Sequence, residues 1–392
     1  MNEEGIIMRE VYLDNAATTK LSQEAYDTIC KCLLESYANP SSLHRLGRDV
    51  RNIIEDSRKI IAHNIGVNKI EIIFTSGATE ADNMAIMGVC RAKNNVESIN
   101  VNKKHIITTK IEHKAVLNTC KYLEKIGYEV TYLDVDENGL LSLDSVEKAI
   151  KDNTILISVM AVNNEIGTIM PINEIGQLAH SRNILFHTDA VQGFGKISID
   201  MENIDLMSIS GHKIHAVKGI GVLYVKEGID FEPYFYGGEQ EYGVRPGTEN
   251  VAGIVSMGVA VKQAMEDFNN NINGEIQKKR DYLLRNILNK IDGVEINGDL
   301  DRRVANNINI SIEDVEAVVL VDQLSREGIY VSTGSACNSS IIKPSYVLKA
   351  LHKNDDTALS SIRITLDNDV TYDDLDYVID KLVENVEDLR EF

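Results

Sequence analysis

Residues Glu71–Cys90 read EIIFTSGATEADNMAIMGVC, an apolar strand pattern that passes through a turn of small residues into a helical pattern. The same rhythm of apolar run, Gly- or Ser-bearing turn and following segment recurs at residues 105–125, 154–167, 183–195 and 204–213. Strands that alternate with helices predict an α/β fold, with a mainly parallel sheet covered by helices on both faces. Ligands bind such sheets at the carboxyl ends of the strands, so the polar residues that follow each apolar run are the candidate site.

The length and later pattern of the chain predict more than one domain. A chain of 392 residues exceeds one ordinary core, and two domains are the default expectation. The strand–helix rhythm continues to about Val225, and a helical stretch from about Thr248 to Asn273 follows. The remainder reads as a smaller α+β unit, and the acidic end of the chain keeps the apolar spacing of a helix with one solvated face.

Charge, hydropathy and cysteine spacing exclude several classes of function. A net charge of −20 argues against nucleic acid as a partner, because phosphate contacts need clustered Lys and Arg. No apolar run approaches the roughly 18–20 residues of a membrane span, and no signal peptide pattern opens the chain, so we expect a cytoplasmic protein that does not bind membranes. None of the five cysteines forms a CxxC pair, which disfavours a disulfide framework or a zinc site.

Two residues that follow apolar runs suggest a covalently bound aromatic cofactor. Lys213 ends the run IDLMSISGHK, and a partly shielded lysine at a strand end can form a Schiff base. Asp189 follows the run Ile184–Phe186, where a carboxylate needs a partner such as the ring nitrogen of pyridoxal phosphate. Taken alone, the lysine also fits a solvated surface residue and the aspartate a helix N-cap.

Two further strand ends complete the set. Ser76, Gly77, Ala78 and Thr79 follow an apolar run and open a helix, an arrangement whose backbone N–H groups bind phosphate. His113 follows another run, where an imidazole can stack on a ring and exchange protons, although a lone histidine also fits a structural role. A phosphate cup, a stacking base, a ring-nitrogen carboxylate and a Schiff-base lysine, in that order at successive strand ends, predict a pyridoxal-phosphate site.

Ordered motifs along almost the whole chain carry a family resemblance. In sequence order they are YLDNAATT, NPSSLHRLG, FTSGATEADN, EHKAVL, VNNEIGT, HTDAVQ, SGHK, GGEQE, RPGTEN, GSACNSS and SSIR. The chain resembles the cysteine desulfurases of the NifS/IscS type, in the class-V aminotransferase group of fold-type I pyridoxal-phosphate enzymes. The resemblance implies a large cofactor-binding domain at 15–260, with a mainly parallel seven-stranded sheet. It also implies a small α+β domain, from 1–14 and 261–392, that carries the cysteine loop.

The resemblance also implies a role for each matching residue. Lys213 would bind the cofactor covalently, Asp189 would pair with the ring nitrogen, and His113 would stack on the ring. The remaining cofactor contacts it implies are Ala78, Thr79, Ser210 and His212 at the phosphate, Gln192 at the phenolic oxygen, and Asn164, which also contacts substrate. Arg363 would bind the substrate carboxylate, a task that suits a guanidinium fork. Thr248 would reach the phosphate bound in a partner subunit, which implies a homodimer.

Cys337 lies in STGSACNSS, whose small and polar residues favour an exposed loop over a packed core. The resemblance implies that Cys337 takes the sulfur of L-cysteine as a persulfide, with His113 as a proton carrier, and passes it to an acceptor such as an iron–sulfur scaffold protein. The loop is similar to the long-loop subclass of the family. No resident metal is expected, and Cys337 would at most be a transient iron–sulfur ligand.

Two alternatives stay open at this point. Another fold-type I enzyme, such as an aminotransferase or a selenocysteine lyase, would keep Lys213 and Asp189 but would not need a loop cysteine. A non-catalytic sulfur or iron–sulfur binding protein on the same scaffold would not need the cofactor site, and the intact set of Lys213, Asp189, His113 and Arg363 argues against it.

Overall fold

The computed structural model describes residues 9–95, 105–333 and 343–391, and the site prediction at Cys337 lies outside them. The strands of the described residues are β1 (Val11–Tyr12), β2 (Ile72–Thr75), β3 (His105–Thr109), β4 (Glu129–Leu133), β5 (Thr154–Ser158), β6 (Leu185–Asp189), β7 (Leu206–Ser210), β8 (Gly221–Val225), β9 (Val294–Ile296), β10 (Asn307–Ile312), β11 (Ile329–Tyr330) and β12 (Ser361–Thr365). The helices are α1 (Gln23–Glu35), α2 (Arg45–Ile65), α3 (Ala78–Asn95), α4 (Lys114–Lys125), α5 (Leu143–Ala149), α6 (Ile172–Ser181), α7 (Val251–Asn269), α8 (Ile272–Lys290), α9 (Ala317–Arg326), α10 (Tyr346–Ala350), α11 (Asp355–Leu359) and α12 (Tyr372–Arg390).

A seven-stranded sheet in the order β2-β8-β7-β6-β5-β3-β4 forms the first part of the fold. Strand β8 runs in the opposite direction to the other six strands. The α/β fold and the mainly parallel seven-stranded sheet predicted from the sequence are therefore confirmed.

Helices cover both faces of this sheet. Adjacent residues of a strand point to opposite faces, so a strand of consecutive apolar residues has side chains to bury on both. On β3, Ile106 packs into one apolar core and Ile107 into another; Leu156 and Ile157 of β5 divide in the same way. Helices α3 and α4 close the first core, and α6 and α7 close the second. With both faces covered, the polar groups at the strand ends are the part of the sheet that can meet a ligand.

The C-terminal part of the chain builds a separate apolar core. A three-stranded antiparallel sheet, β12-β10-β9, packs against α8, α9 and α12. The N-terminal strand β1 joins this part by pairing with β11, and Val11 enters its core. The division into 15–260 and 1–14 with 261–392 stays a proposal: the separate core supports it, while Val261, Val347 and Leu348 pack into the core of the seven-stranded sheet.

The predicted helix from Thr248 to Asn273 is two helices in the structure. Helix α7 ends at Asn269 and α8 begins at Ile272, because Asn271 between them adopts a left-handed backbone with φ of 58°. Asparagine tolerates this conformation better than most residues, so the break is local. Helix α12 matches the prediction for the acidic end and opens with a capping box of Thr371 and Asp374.

Within the described ranges, no helix combines the length and apolar character needed to cross a membrane.

Candidate active site

A cleft of about 860 Å³ opens at the carboxyl ends of the central strands. It brings together the following predicted site residues: Ala78, Thr79, His113, Asn164, Asp189, Gln192, Ser210, His212, Lys213 and Arg363. Thr248 is exposed and is not part of the cleft lining in the single chain. The fold therefore collects residues that are up to 285 positions apart, Ala78 and Arg363 (363 − 78), into one site.

Lys213 lies in a short 3₁₀ turn, Gly211–Lys213, directly after β7. Its ammonium donates hydrogen bonds to the carbonyl oxygens of Ala16 at 2.6 Å and Ala17 at 2.5 Å. Burial, together with the positive charges of Arg363 and Lys196, lowers the pKa of Lys213 to about 8. A solvated surface lysine would show neither feature, so the structure favours a reactive amine.

Asp189 is the last residue of β6 and is buried. One carboxylate oxygen accepts the Val191 N–H at 2.9 Å, and burial raises the pKa of Asp189. A turn rather than an α-helix follows it, so Asp189 is not the cap of a helix. A buried carboxylate of this kind needs a cationic or proton-donating partner.

A second carboxylate, Asp82 on α3, lies behind Asp189 and was not predicted. The side-chain ligand atoms of Asp82, His113 and Asp189 all lie within 4.8 Å of one another. Asp82 is fully buried, and neither of its oxygens has a hydrogen-bond partner among the described residues. Burial and the charge of Asp189 raise the pKa of Asp82 well above its ordinary value. The charge of Lys213 acts on Asp189, and a protonated ring nitrogen would add a further positive group beside the two carboxylates.

His113 caps the N-terminus of α4, where its Nδ1 accepts the Ala115 N–H at 3.2 Å. A neutral ring with Nδ1 as acceptor carries its proton on Nε2. One side of the ring is open to the cleft, and burial of the rest lowers the pKa of His113. The imidazole is thus neutral near pH 7, with Nε2–H as a hydrogen-bond donor.

The turn before α3 is the segment predicted to bind phosphate. Gly77 has a φ of 151°, a backbone conformation that would be strained for a residue with a side chain. Gly221 packs directly against it, because a Cβ on Gly221 would lie 2.7 Å from Gly77 Cα. The close approach points the start of α3, with Ala78 and Thr79, into the cleft. The positive end of a helix dipole and free backbone donors suit a phosphate there.

Ser210 and His212 reach the same region from the end of β7. Ser210 is buried, and His212 hydrogen-bonds Thr18 Oγ1 through Nδ1 at 3.2 Å. Burial and the charges of Lys213 and Lys218 lower the pKa of His212 to about 4, so its ring is neutral at neutral pH. It would contact a phosphate through hydrogen bonding rather than through charge.

The N-terminal segment that follows β1 holds groups from both sides of the cleft, a role that no single sequence motif indicated. The Ala16 carbonyl accepts hydrogen bonds from Lys213 and from the Gln192 side chain, the latter at 2.9 Å. Asp14 accepts from Arg363 Nη2 at 2.7 Å. The motif YLDNAATT in this segment indicated the family, but it did not predict that the segment contacts Lys213, Gln192 and Arg363.

The opposite side of the cleft carries the predicted substrate contacts. Arg363 on β12 is buried, and its Nη1 donates to the Asn164 carbonyl at 2.9 Å. Arg363 Nε and Asn164 Oδ1 have no hydrogen-bond partner within the described part of the chain. Unpaired polar atoms of this kind are rare in folded proteins and are typical of a site that binds a polar ligand.

Comparisons with known proteins agree with this geometry. The profile of the aminotransferase class-V family matches residues 11–378. A protein named cysteine desulfurase IscS from Dictyoglomus turgidum is 47% identical over 384 residues, which cover 97% of this chain and 96% of that protein. A solved structure described as a NifS-like protein has a TM-score of 0.89 at 35% identity and covers 97% of this chain and 100% of that one. Another, SspA in complex with cysteine, has a TM-score of 0.79 at 38% identity, with coverage of 91% and 98%.

Proposed function

The chain belongs to the aminotransferase class-V family, and on that premise we propose that it is a pyridoxal-phosphate-dependent cysteine desulfurase that converts L-cysteine to L-alanine. The observation that carries this assignment is the meeting of Lys213, Asp189 and the phosphate cup in one cleft, with Arg363 on the facing wall. The sulfur would serve iron–sulfur cluster assembly or another sulfur-transfer route.

The residues present fit the cofactor. Lys213 would bind it covalently, Asp189 would pair with the ring nitrogen, and Ala78 and Thr79 would hold the phosphate with Ser210 and His212. Gln192 and Asn164 would bind the polar edge of the ring, and His113 would stack on its face. The bound cofactor supplies an electron sink for negative charge at the substrate Cα.

The side chains of this protein would bind the substrate and transfer its protons. Arg363 would bind and orient the substrate carboxylate, while the lowering of the pKa of Lys213 to about 8 raises the fraction of neutral amine that can take the Cα proton. His113 would act as the proton carrier for the thiol step, a role that requires Nδ1 to be released from the Ala115 N–H. Asn164 would orient the substrate from the loop after β5.

Cys337 completes the proposed reaction. Its thiolate would attack the substrate sulfur, which forms an S–S bond and breaks the Cβ–S bond. The electron pair left on the carbon skeleton then takes up protons to give alanine. Overall, cysteine and the Cys337 thiol become alanine and a Cys337 persulfide, so atoms and electrons balance. The described chain resumes at Lys343, a residue of the cleft lining, six positions after Cys337.

We also propose a homodimer in which Thr248 reaches the phosphate in the partner subunit. Thr248 is exposed, and a group of large apolar side chains near the N-terminus is exposed as well: Leu33 (63%), Leu34 (81%), Tyr37 (76%) and Leu43 (85%). Helix α1 packs against α7, the helix that follows Thr248. Contiguous exposed apolar surface supports a subunit contact here. Sedimentation at the mass of a single chain would contradict the dimer.

The Cys337→Ala variant tests the function. We expect it to keep the visible absorbance of the bound cofactor and to lose alanine formation from cysteine by at least about a thousandfold, as for removal of a covalent nucleophile. Cys30→Ala is the matched control, because Cys30 lies half-buried on α1 away from the cleft. Full-rate catalytic turnover by the Cys337 variant would instead favour an aminotransferase or a selenocysteine lyase. A protein that stays colourless with added cofactor would favour a non-catalytic binding partner.

A further inference from the structure

Two loops at the carboxyl ends of β3 and β5 each contain a pair of adjacent residues with different tasks. In each pair, one residue is a proposed cofactor contact: His113 in the first loop and Asn164 in the second. Their neighbours, Glu112 and Glu165, are both buried, and both hold the segment that begins α10. The same two loops thus contact the cofactor site and the residues that follow the cysteine-bearing segment in sequence.

Ser345 makes the first of these anchors. Its hydroxyl donates to the Glu165 carboxylate, and its oxygen accepts the Val347 and Leu348 N–H groups at 3.1 and 3.3 Å as the N-cap of α10. Ser345 and Glu165 are 2% and 3% exposed, so water does not compete for this hydrogen bond. Removing either partner would leave a buried polar group unpaired.

Tyr346 makes the second anchor. Its hydroxyl donates to the Glu112 carbonyl at 2.7 Å, directly beside His113. Tyr346 lines the cleft together with Lys343 and Pro344. The four residues from 343 to 346 are therefore fixed to the wall that carries His113 and Asn164.

Glu165 is itself rigidly held. Its N–H donates to Asn163 Oδ1 at 2.9 Å, and its carbonyl accepts the side-chain amides of Asn307 and Asn309, both at 3.1 Å. The positive charges of Arg363 and Lys114 face its carboxylate. Glu165 is therefore bonded both within its own loop and to two residues of β10, so it cannot move as a surface side chain can.

We propose that Glu165 and Ser345 are positioning residues for sulfur transfer: they fix residues 343–346, and so the flank of the chain that follows Cys337, relative to His113 and Asn164. This inference rests on the proposed function. Sulfur transfer needs two sulfur atoms in a narrow range of distance and angle. Proton removal from Cα depends instead on Lys213, which is held elsewhere by Ala16 and Ala17. Loss of the anchor should therefore slow one step and spare the other.

The test separates these two steps in the holoenzyme. Alanine formation from cysteine reports sulfur transfer, and exchange of the Cα hydrogen of L-alanine in D₂O, followed by NMR, reports the Lys213 step. For Ser345→Ala we expect alanine formation to fall at least about tenfold and exchange to stay within about twofold, since misplacement by about 1 Å can cost a hundredfold. Ser22→Ala is the matched control, because Ser22 also caps a helix through its hydroxyl but lies at α1.

Two variants of Glu165 distinguish positioning from a general loss of structure. Glu165→Gln keeps an acceptor for the Ser345 hydroxyl and should retain alanine formation within about threefold, whereas Glu165→Leu should behave as Ser345→Ala. The inference is overturned if exchange and alanine formation fall together in Ser345→Ala, if neither falls, or if Gln is no better than Leu.

The result for Cys337→Ala keeps the two proposals apart. If that variant is inactive while Ser345→Ala matches the wild type, the proposed function stands and the anchor is wrong. If Cys337→Ala turns over at the wild-type rate, the proposed function fails and the anchor fails with it.

Discussion

The two sheets that border the cleft present their functional groups in different ways. The seven-stranded sheet presents them at strand ends, with Asp189 at the last position of β6 and Lys213 one turn beyond β7. The three-stranded sheet presents Arg363 from the middle of β12, opposite Asn309 on β10. The seven-stranded sheet places residues at the ends of its strands in the cleft, and the three-stranded sheet places a side chain from the middle of a strand there.

The difference reflects strand direction. The carboxyl ends of parallel strands lie side by side, so strand direction alone brings together the polar residues that follow each apolar run. In β12, as in any strand, adjacent residues point to opposite faces, and Arg363 alternates with the core residues Ile362 and Ile364. Its direction into the cleft depends on Asp14 and the Asn164 carbonyl, which hold the guanidinium in place.

The largest expected effect comes from removing the strand-end amine. Lys213→Ala should lose the visible band of the bound cofactor and reduce alanine formation by at least about a thousandfold, because the covalent attachment and the Cα base are the same group. Absorbance spectra and alanine assays measure both losses. Lys218→Ala is the control, since Lys218 also lines the cleft but is exposed. An intact band in Lys213→Ala would contradict the assignment.

A smaller effect is expected from the mid-strand arginine. Arg363→Lys keeps the charge but loses the fork, which should remove about 1.5–3 kcal/mol of charge-assisted hydrogen bonding, or roughly 10- to 150-fold in kcat/KM for cysteine. Steady-state kinetics should show this chiefly in KM, with the cofactor band unchanged. An unchanged kcat/KM would place the substrate carboxylate elsewhere, and a lost band would assign Arg363 to the cofactor side.

The smallest effect is expected from the carboxylate behind the strand ends. Burial and the charge of Asp189 raise the pKa of Asp82 well above its ordinary value, which favours the neutral acid. Asp82→Asn replaces one neutral group with another and should change alanine formation by less than about threefold, whereas Asp189→Asn should cost at least about a hundredfold. Equal losses of alanine formation in the two variants would show that Asp82 acts as an anion. The buried residue on α3 would then be as important as the residue at the strand end.

Sequence patterns predicted the strand-end groups better than the groups that support them. Lys213, Asp189 and His113 each follow an apolar run, and the periodicity of such runs is a local property. Asp82 lies inside a helical pattern, and Glu112 is adjacent to the more conspicuous His113, so neither carried a separate signal. Only the packing of α3 against the sheet shows that Asp82 is a buried acid whose oxygens accept no hydrogen bond from the described residues.

The break between α7 and α8 illustrates a second limit of prediction from sequence patterns, which concerns where a helix ends. The helical pattern runs through Asn271, and the sequence predicted one helix to Asn273. Asparagine is compatible with both a helical and a left-handed backbone, and the packing of the two helices selected the second.

By itself, the sequence determined the α/β class, the positions of Lys213, Asp189, His113 and the turn before α3 at strand ends, and the family through its ordered motifs. These features depend on neighbours in the chain, whose spacing is fixed by covalent geometry. The tertiary structure alone decided that Asp14 pairs with Arg363, 349 positions away, and that Glu165 and Ser345 meet across 180 positions. Such contacts depend on how helices and sheets pack, because a buried charge or hydroxyl takes whichever partner the fold brings within hydrogen-bond distance.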